Sequence, residues 1–498
     1  MSETTAVAGA SGVLAVTCLS TLVVNANTSA VSILLPAISD DTGMSVNTLQ
    51  WAVTGYSLMG AATIVTSGSM GDVFGRKRIF QYGLLLFTAS CVLIALSSSG
   101  GMVIAGRVIQ GAAGATILAC GLSLLSVANP GKSQLRAVSL WGAAAAVGAA
   151  AGPLLGGVLV EVASWQALFW VDAGVAVVCM ALTAAKVTES RDPDRPPSID
   201  FAGSLLVGLT LMPFVLAVSK GSDWGWTSLA TLGCLAISVA AGFAFVAVEN
   251  RVAVPMLDLA LLRNRVLVAS TIAILIGAGT INGLMYLVSL YFQNPATLDF
   301  SPLEAGLGTL PATVGLVVVA PLVPRFAARF GGRQVVGAGF AVTAAGFAWV
   351  GLVDGTWRYG AFVLPLVAIA VGMGLSNGPA TSASTSCVPA HQVGSASGVS
   401  NMARYVGAAV FTAIAATVYS SVIADKTDAG ESPADALSAG LGAASWVMVA
   451  FSLAGVAMAV VMGRHQAARG TVADSAAAAA AHTHTLPTSA TATAVNDQ

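Results

Sequence analysis

Two arginines and an aspartate stand inside long apolar stretches of this 498-residue chain, and these three are the residues best placed to do chemistry. Arg107 lies in Ala105-Gly106-Arg107-Val108-Ile109-Gln110-Gly111, about six residues, or roughly 9 Å at helical rise, below the outer end of its stretch. Asp172 enters from the same side to about the same depth, and Arg404 lies about ten residues into a later stretch. A charge at such depth is costly and faces a polar cavity or a partner. A carboxylate held there can take up and release a proton, which is the chemistry of an ion-coupled cycle. The plainer readings are an arginine that snorkels to the outer headgroups and a static ion pair. Asn27, Gln110, Asn282 and Asn377 are the further polar residues expected, with Arg107 and Arg404, to line a cavity. Asn27 and Asn282 sit at nearly the same distance into their stretches.

Two other patterns concern the backbone. Gly68-Ser-Met-Gly71-Asp72-Val-Phe-Gly75-Arg76-Lys77-Arg78-Ile-Phe80 is a tight, charged hairpin between two apolar stretches. Asp72 falls at the end of a helix, where the dipole is already negative, so Arg76 and Lys77 are expected to compensate it. Gly148-Ala-Ala-Ala-Gly152-Pro153-Leu-Leu-Gly156-Gly157 places glycines four apart, a flat stripe that admits close helix contact. Pro153 removes a backbone hydrogen bond and bends that helix.

Other chemistries find little support. The six cysteines are scattered without a CxxC pair or metal-ligand spacing and read as small buried hydrophobes. His482 and His484 have no further ligands, so no metal is expected. No phosphate-binding loop occurs, and only His391 lies near the apolar stretches, which leaves no nucleophile–histidine pair. The chain is read as a non-enzyme without cofactor or nucleic-acid partner.

The elements that must position these residues follow from composition. Hydrophobic residues make up 56% of the chain and charged ones 9%, where a soluble domain carries about a quarter charged. The apolar runs are continuous rather than alternating, so they are helices and not barrel strands. Fourteen spans are expected: 12–34, 49–69, 79–98, 101–122, 137–160, 166–186, 201–219, 228–248, 267–292, 304–324, 334–353, 360–381, 394–421 and 438–462. With both termini in the cytoplasm, Lys220, Arg358 and Lys426 fall outside, Arg107 and Arg404 lie within spans, and every other Lys and Arg is cytoplasmic, as the positive-inside rule demands. The expected fold is therefore all-α and integral to the membrane. A short N-terminus (1–11) precedes a six-helix bundle (12–186), a linker (187–200), an extra helix pair (201–248) and a second linker (249–266). A second six-helix bundle (267–462) and a disordered, Ala/Thr/Ser-rich tail (463–498) complete it. The turn Pro324–Arg333 occupies the place of the charged hairpin in the second bundle, but lacks the aspartate.

The charged hairpin resembles the loop motif of the major facilitator superfamily, G-x-L-a-D-r-x-G-r-k-x-x-l, with Val73 in place of a usual basic residue. The resemblance implies that Gly68, Asp72, Gly75, Arg76 and Lys77 form a cytoplasmic gate that latches one conformation. The run Gly148, Gly152, Pro153, Gly156 and Gly157 is similar to the signature that marks exporters within the superfamily. Arg107 with Gly111 resembles its R-x-x-q-G motif. Similar stretches at Asp200–Gly203, Glu249–Leu259, Tyr291–Gln293 and Ser301–Gly306 extend the likeness to about residue 465, most closely to the fourteen-span drug:proton antiporter (EmrB/QacA-like) branch.

That branch carries an aspartate in its first helix where this chain has Asn27. It has arginine and asparagine at the start of helix six, where this chain has Gln166 and Asp172. The expectation is that the acid has moved from helix one to helix six, so that Asp172 compensates Arg107 and carries the proton. The implied function is a secondary exporter of amphipathic small molecules (drugs, antiseptics or metabolites) in the inner cell membrane, coupled to protons and acting as a monomer among lipid. With few acids in the spans, neutral, zwitterionic or anionic amphiphiles are expected over cations. A receptor or lipid-handling protein that kept the fold, and an importer, are the alternatives.

Overall fold

Short polar side chains set where the helices of this chain begin. Ser99 accepts from the amide of Met102, Asp200 from that of Gly203, Ser228 from that of Thr231 and Asn264 from those of Val266 and Leu267. Each satisfies an amide that the first helical turn leaves unpaired. Ser301 and Glu304 form a reciprocal capping box with Pro302 in the first turn.

The computed structural model describes residues 2–129, 132–191, 199–253, 255, 257, 259–388 and 393–483, and among them every regular element is helical. The first part comprises α1 (Ser2–Thr42), α2 (Val46–Leu49), α3 (Trp51–Phe74), α4 (Arg76–Ala95), α5 (Gly100–Ala128), α6 (Lys132–Val162) and α7 (Gln166–Lys186). A pair follows, α8 (Phe201–Trp224) and α9 (Leu229–Glu249). The last part comprises α10 (Arg265–Gln293), α11 (Pro302–Gly308), α12 (Leu310–Val319), α13 (Val323–Phe330), α14 (Gly332–Val350), α15 (Tyr359–Ser386), α16 (Val393–Asp428) and α17 (Pro433–Thr483).

Packing repeats between the two parts. The pairs α1–α6, α3–α5, α4–α5 and α4–α7 have counterparts in α10–α16, α12–α15, α14–α15 and α14–α17. Both charged turns share one backbone device. Gly75, between α3 and α4, and Gly331, between α13 and α14, have φ of 112° and 87°, a region that disfavours side chains. The parts meet along two seams, α3 against α16 and α6 against α11 and α12, and also where α1 touches α10, the Ser289 hydroxyl donating to the Ser32 carbonyl at 2.6 Å.

The α8–α9 pair lies beside the first seam. Near its start α8 is tied to α3, where Thr66 and Ser204 share a hydrogen bond and Ala62 meets Val207. Near its end it is tied to α16, where the Thr417 hydroxyl donates to the Val218 carbonyl at 3.1 Å. Leu58, Val215, Ala409 and Ala413 pack between those ties, so α8 braces the seam diagonally. On α9, Leu229 and Phe243 are 89% and 74% exposed, a face suited to lipid tails rather than water.

Ten described helices are long and apolar enough to cross a membrane, or eleven if the 43° bent pair Leu140–Ala149 and Ala151–Val162 is one span. The other expected spans, 49–69, 304–324 and 334–353, also coincide with helix but do not pass that test. The stretch 304–324 departs most from expectation. It is broken into α11, α12, a short 3₁₀ turn Ala320–Leu322 and α13, because Pro311, Pro321 and Pro324 each remove an amide. Helix α1 starts earlier and ends later than expected, and the backbone of α17 stays helical to Thr483, into the expected tail. The linker core 192–198, with Arg195, lies outside the described residues, as do His391, His484 and the side chains of Lys132, Arg136, Arg464, Arg469 and His482.

Candidate functional site

Arg107 sits two turns into α5 and is fully buried, so it does not snorkel. Its Nε donates to the Ala52 carbonyl of α3 at 3.0 Å, and Nη1 donates to Asn27 Oδ1 of α1 at 2.5 Å and to Gln110 Oε1. The guanidinium carbon lies 4.2 Å above the centroid of the Tyr56 ring, a cation–π contact in a dry setting, while Nη2 makes no hydrogen bond. Gln110 passes the chain on, its amide donating to Cys91 Sγ of α4 at 2.9 Å.

The expected partner is present but not in direct contact. Asn27 Nδ2 donates to Asp172 Oδ2 at 2.6 Å, and no ion pair joins Asp172 to Arg107 among the described residues. Asn27 thus stands between the charges with its carbonyl to the cation and its amino group to the carboxylate. Its dipole is aligned with their field, which strengthens both bonds where water is excluded. Asp172 therefore reaches Arg107 through the amide of Asn27 and not by direct contact. Asp172 is held at this depth from above, where Trp165 Nε1 and Gln166 Nε2 donate to Asp41 of α1 at 2.9 and 3.2 Å.

Glycines make the approach of α3 possible. A Cβ on Gly111 would meet the Tyr56 carbonyl, and one on Gly114 would lie 2.6 Å from the Tyr56 hydroxyl. The glycine of the Arg107 motif therefore serves Tyr56, a residue that the sequence alone does not single out.

The second part holds a separate polar group. Arg404 Nη2 donates to Thr381 Oγ1 at 2.6 Å, and that hydroxyl donates to the Asn377 carbonyl at 2.8 Å, while Asn377 Oδ1 faces Gly277 of α10. No carboxylate lies within ion-pair distance of Arg404 among the described residues. Asn282 returns its amide to the Ala278 carbonyl one turn back at 2.8 Å and joins neither group.

At the charged turn Arg76 pairs with Asp72, with Nη2 2.8 Å and Nε 2.9 Å from Oδ1. Lys77 does not join them; its Nζ donates to the Ala184 carbonyl at 3.1 Å. Glu189, within the expected linker, caps α4 by accepting from the amides of Lys77 and Arg78 at 3.0 and 3.2 Å. A Cβ on Gly75 would lie 2.7 Å from that carboxyl and would push the cap aside, in addition to the strain its φ imposes. Gly71 fits against Cys120, whereas Gly68 meets nothing closer than Ala119 at 3.9 Å.

The glycine run of α6 works on two partners. Gly148 and Gly152 sit on the α1 backbone at Leu22 and Ala26, and Gly156 on Ala30. A Cβ on Gly157 would lie 2.5 Å from the Pro302 carbonyl of α11, and one on Gly306 would lie 2.6 Å from that of Pro153. The run therefore joins α6 to α1 within one part and to α11 across the second seam.

Comparison with known proteins agrees with this architecture. The sequence profile of the Major Facilitator Superfamily matches residues 17–412. The chain is 31% identical over 421 residues to the tetracenomycin C resistance and export protein of Streptomyces glaucescens, covering 84% of this chain and 76% of that one. It is 31% identical over 416 residues to the multidrug efflux pump LfrA of Mycolicibacterium smegmatis, covering 83% and 82%. Among solved structures it superposes on the human organic anion transporter MFSD10 with a TM-score of 0.61, at 17% identity and covering 90% of this chain and 99% of that one.

Proposed function

We propose, from the premise that this chain belongs to the Major Facilitator Superfamily, that it is a secondary exporter of small amphipathic molecules, driven by proton antiport. The two six-helix parts, 12–186 and 267–462, rock about a central site, with the cavity open to one side at a time. We read the bent α6, α3, the broken α11–α13 and α14 as crossings beside the other ten, which makes fourteen spans, and the distribution of Lys and Arg then favours both termini in the cytoplasm of an inner cell membrane. Relatives named as export and efflux proteins support the outward direction.

The observation that carries the reading is the buried chain Asp172–Asn27–Arg107 inside one part of a duplicated bundle. Such charges are expensive in a membrane, and a carboxylate that reaches its cation through a rotatable amide can exchange a proton without dismantling the site. Asp172 is the proton carrier in this account, and Arg107, Asn27 and Gln110 position it. Arg404 without a countercharge makes the opposite wall positive, which favours neutral, zwitterionic or anionic substrates. Residues Gly68, Asp72, Gly75, Arg76 and Lys77 with Glu189 hold the cytoplasmic gate, and Gly157 with Pro302 closes the outer seam.

Inside-out vesicles carrying the protein test the direction. A panel of amphipathic dyes should accumulate inside when the lumen is acidified, and collapse of the gradient should stop it. Dye movement only in the opposite sense identifies an importer, and none in either sense a non-transporting protein.

A further inference from the structure

The Arg107 cluster is walled on one side by a single aromatic ring, and that ring lies at the seam between the two parts. Tyr56 is buried on α3, with the Arg107 guanidinium carbon 4.2 Å from its centroid. The nearest aromatic ring beyond it is Tyr405 of α16, at 6.4 Å and tilted by 43°. One helical turn along α3, Gly60 lies under Tyr405 so closely that a Cβ there would be 2.5 Å from its Cε1. Tyr405 follows Arg404 in the chain, so the ring facing Tyr56 belongs to the same helix, α16, that bears Arg404.

We infer that Tyr56 is a positioning residue that couples the Arg107 cluster to the seam: when α3 and α16 part, Tyr405 leaves, Tyr56 tilts away, and Arg107 Nη2 becomes open to the cavity. Three observations converge on this. Nη2 is buried and makes no hydrogen bond, so it has a donor to offer once uncovered. The ring face holds the guanidinium most strongly while the site is dry, because water weakens a cation–π contact. Gly60 is the place where α3 yields room to Tyr405, so closing the seam seats that ring against Tyr56. The exposed donor suits an acceptor oxygen of an anionic or zwitterionic amphiphile, so substrate and Asp172 address the same cation from opposite sides.

The inference rests on the alternating-access reading for its meaning, but its test needs no transported substrate. Cys91, reached through Gln110, reports on access to the cluster. Cys91 is kept as the only cysteine of the full-length protein, by replacing Cys18, Cys120, Cys179, Cys234 and Cys387 with alanine. Its rate of reaction with the anionic, membrane-impermeant reagent sulfonatoethyl methanethiosulfonate is then measured. The parent should react slowly, and Tyr56→Phe, which keeps the ring face, should stay within about twofold of it. Tyr56→Ala should react about tenfold faster or more, the scale of a desolvated cation–π contact. Gly60→Val and Tyr405→Leu, which disturb the seam without touching Arg107, should also accelerate it. A matching protein keeping only Cys179, buried in α7, controls for general loosening. Equal rates in the parent and Tyr56→Ala overturn the inference, as does equal acceleration at Cys179. Acceleration by Tyr56→Ala with none from either seam variant would leave Tyr56 a local cover and overturn the coupling. Failure of dye transport with the labelling pattern intact would instead count against the exporter reading alone.

Discussion

Exchanging the side chains at 27 and 172 is the sharpest perturbation of the polar chain. Asn27→Asp alone would put a carboxylate oxygen 2.5 Å from Arg107 Nη1 and its twin 2.6 Å from Asp172 Oδ2. Two full charges at that second distance repel by about 6 kcal/mol at an effective dielectric constant of about 20. The pair must therefore hold a proton between them, and transport should persist with altered pH dependence. Asp172→Asn alone removes the countercharge of a buried arginine, a change that costs about 3–5 kcal/mol when a partner is lost. The low end is expected here, since Arg107 keeps its bonds to Ala52, Asn27 and Gln110. The double variant Asn27→Asp with Asp172→Asn restores one acid and one amide in reversed order, with a direct contact to Arg107. Thermal unfolding of the purified variants should give a coupling energy of about 2–3 kcal/mol, toward recovery. Dye transport under an imposed pH gradient should recover with it. A double variant no more stable and no more active than Asp172→Asn would refute the bridge and the assignment of the acid.

Other parts of the structure give further expectations. Gly157→Val should lower thermal stability by about 1–3 kcal/mol through overpacking against Pro302, and should slow transport more than Ala151→Val on the same helix. Asp72→Asn should lower stability by about 1–3 kcal/mol, because it weakens charge-assisted bonds to a half-buried Arg76, and should reduce the initial transport rate severalfold if the turn is a gate. Cysteine pairs at Thr66 with Ser204 and at Val218 with Thr417 report on the α8 brace. Cross-linking either pair should be possible at rest, and locking both should arrest transport if α3 and α16 separate during the cycle. Unimpaired transport with both locked would show that α3 and α16 do not separate at the α8 ties.

Much of this could be read from residue type and spacing. Arg107 and Asp172 were legible because a charge deep in an apolar run has few explanations. The glycine run of α6 was legible because fourfold spacing keeps small residues on one face. The bridge was not, because Asn27 and Asp172 lie 145 positions apart and a single amide carries no sign of its partner. Tyr56 was not legible because an aromatic in an apolar helix carries no sign of its partner. Glu189 read as part of a polar linker because capping depends on where the chain folds back. The stretch 304–324 reads as one span although it holds three prolines, because average hydropathy registers apolar content and not missing amides.

Proton movement measured in proteoliposomes addresses the central claim most directly. Adding transported dye without an imposed gradient should drive protons the opposite way in the parent protein. Asp172→Asn should still bind the dye but move no protons. Proton movement unchanged by Asp172→Asn would contradict the account.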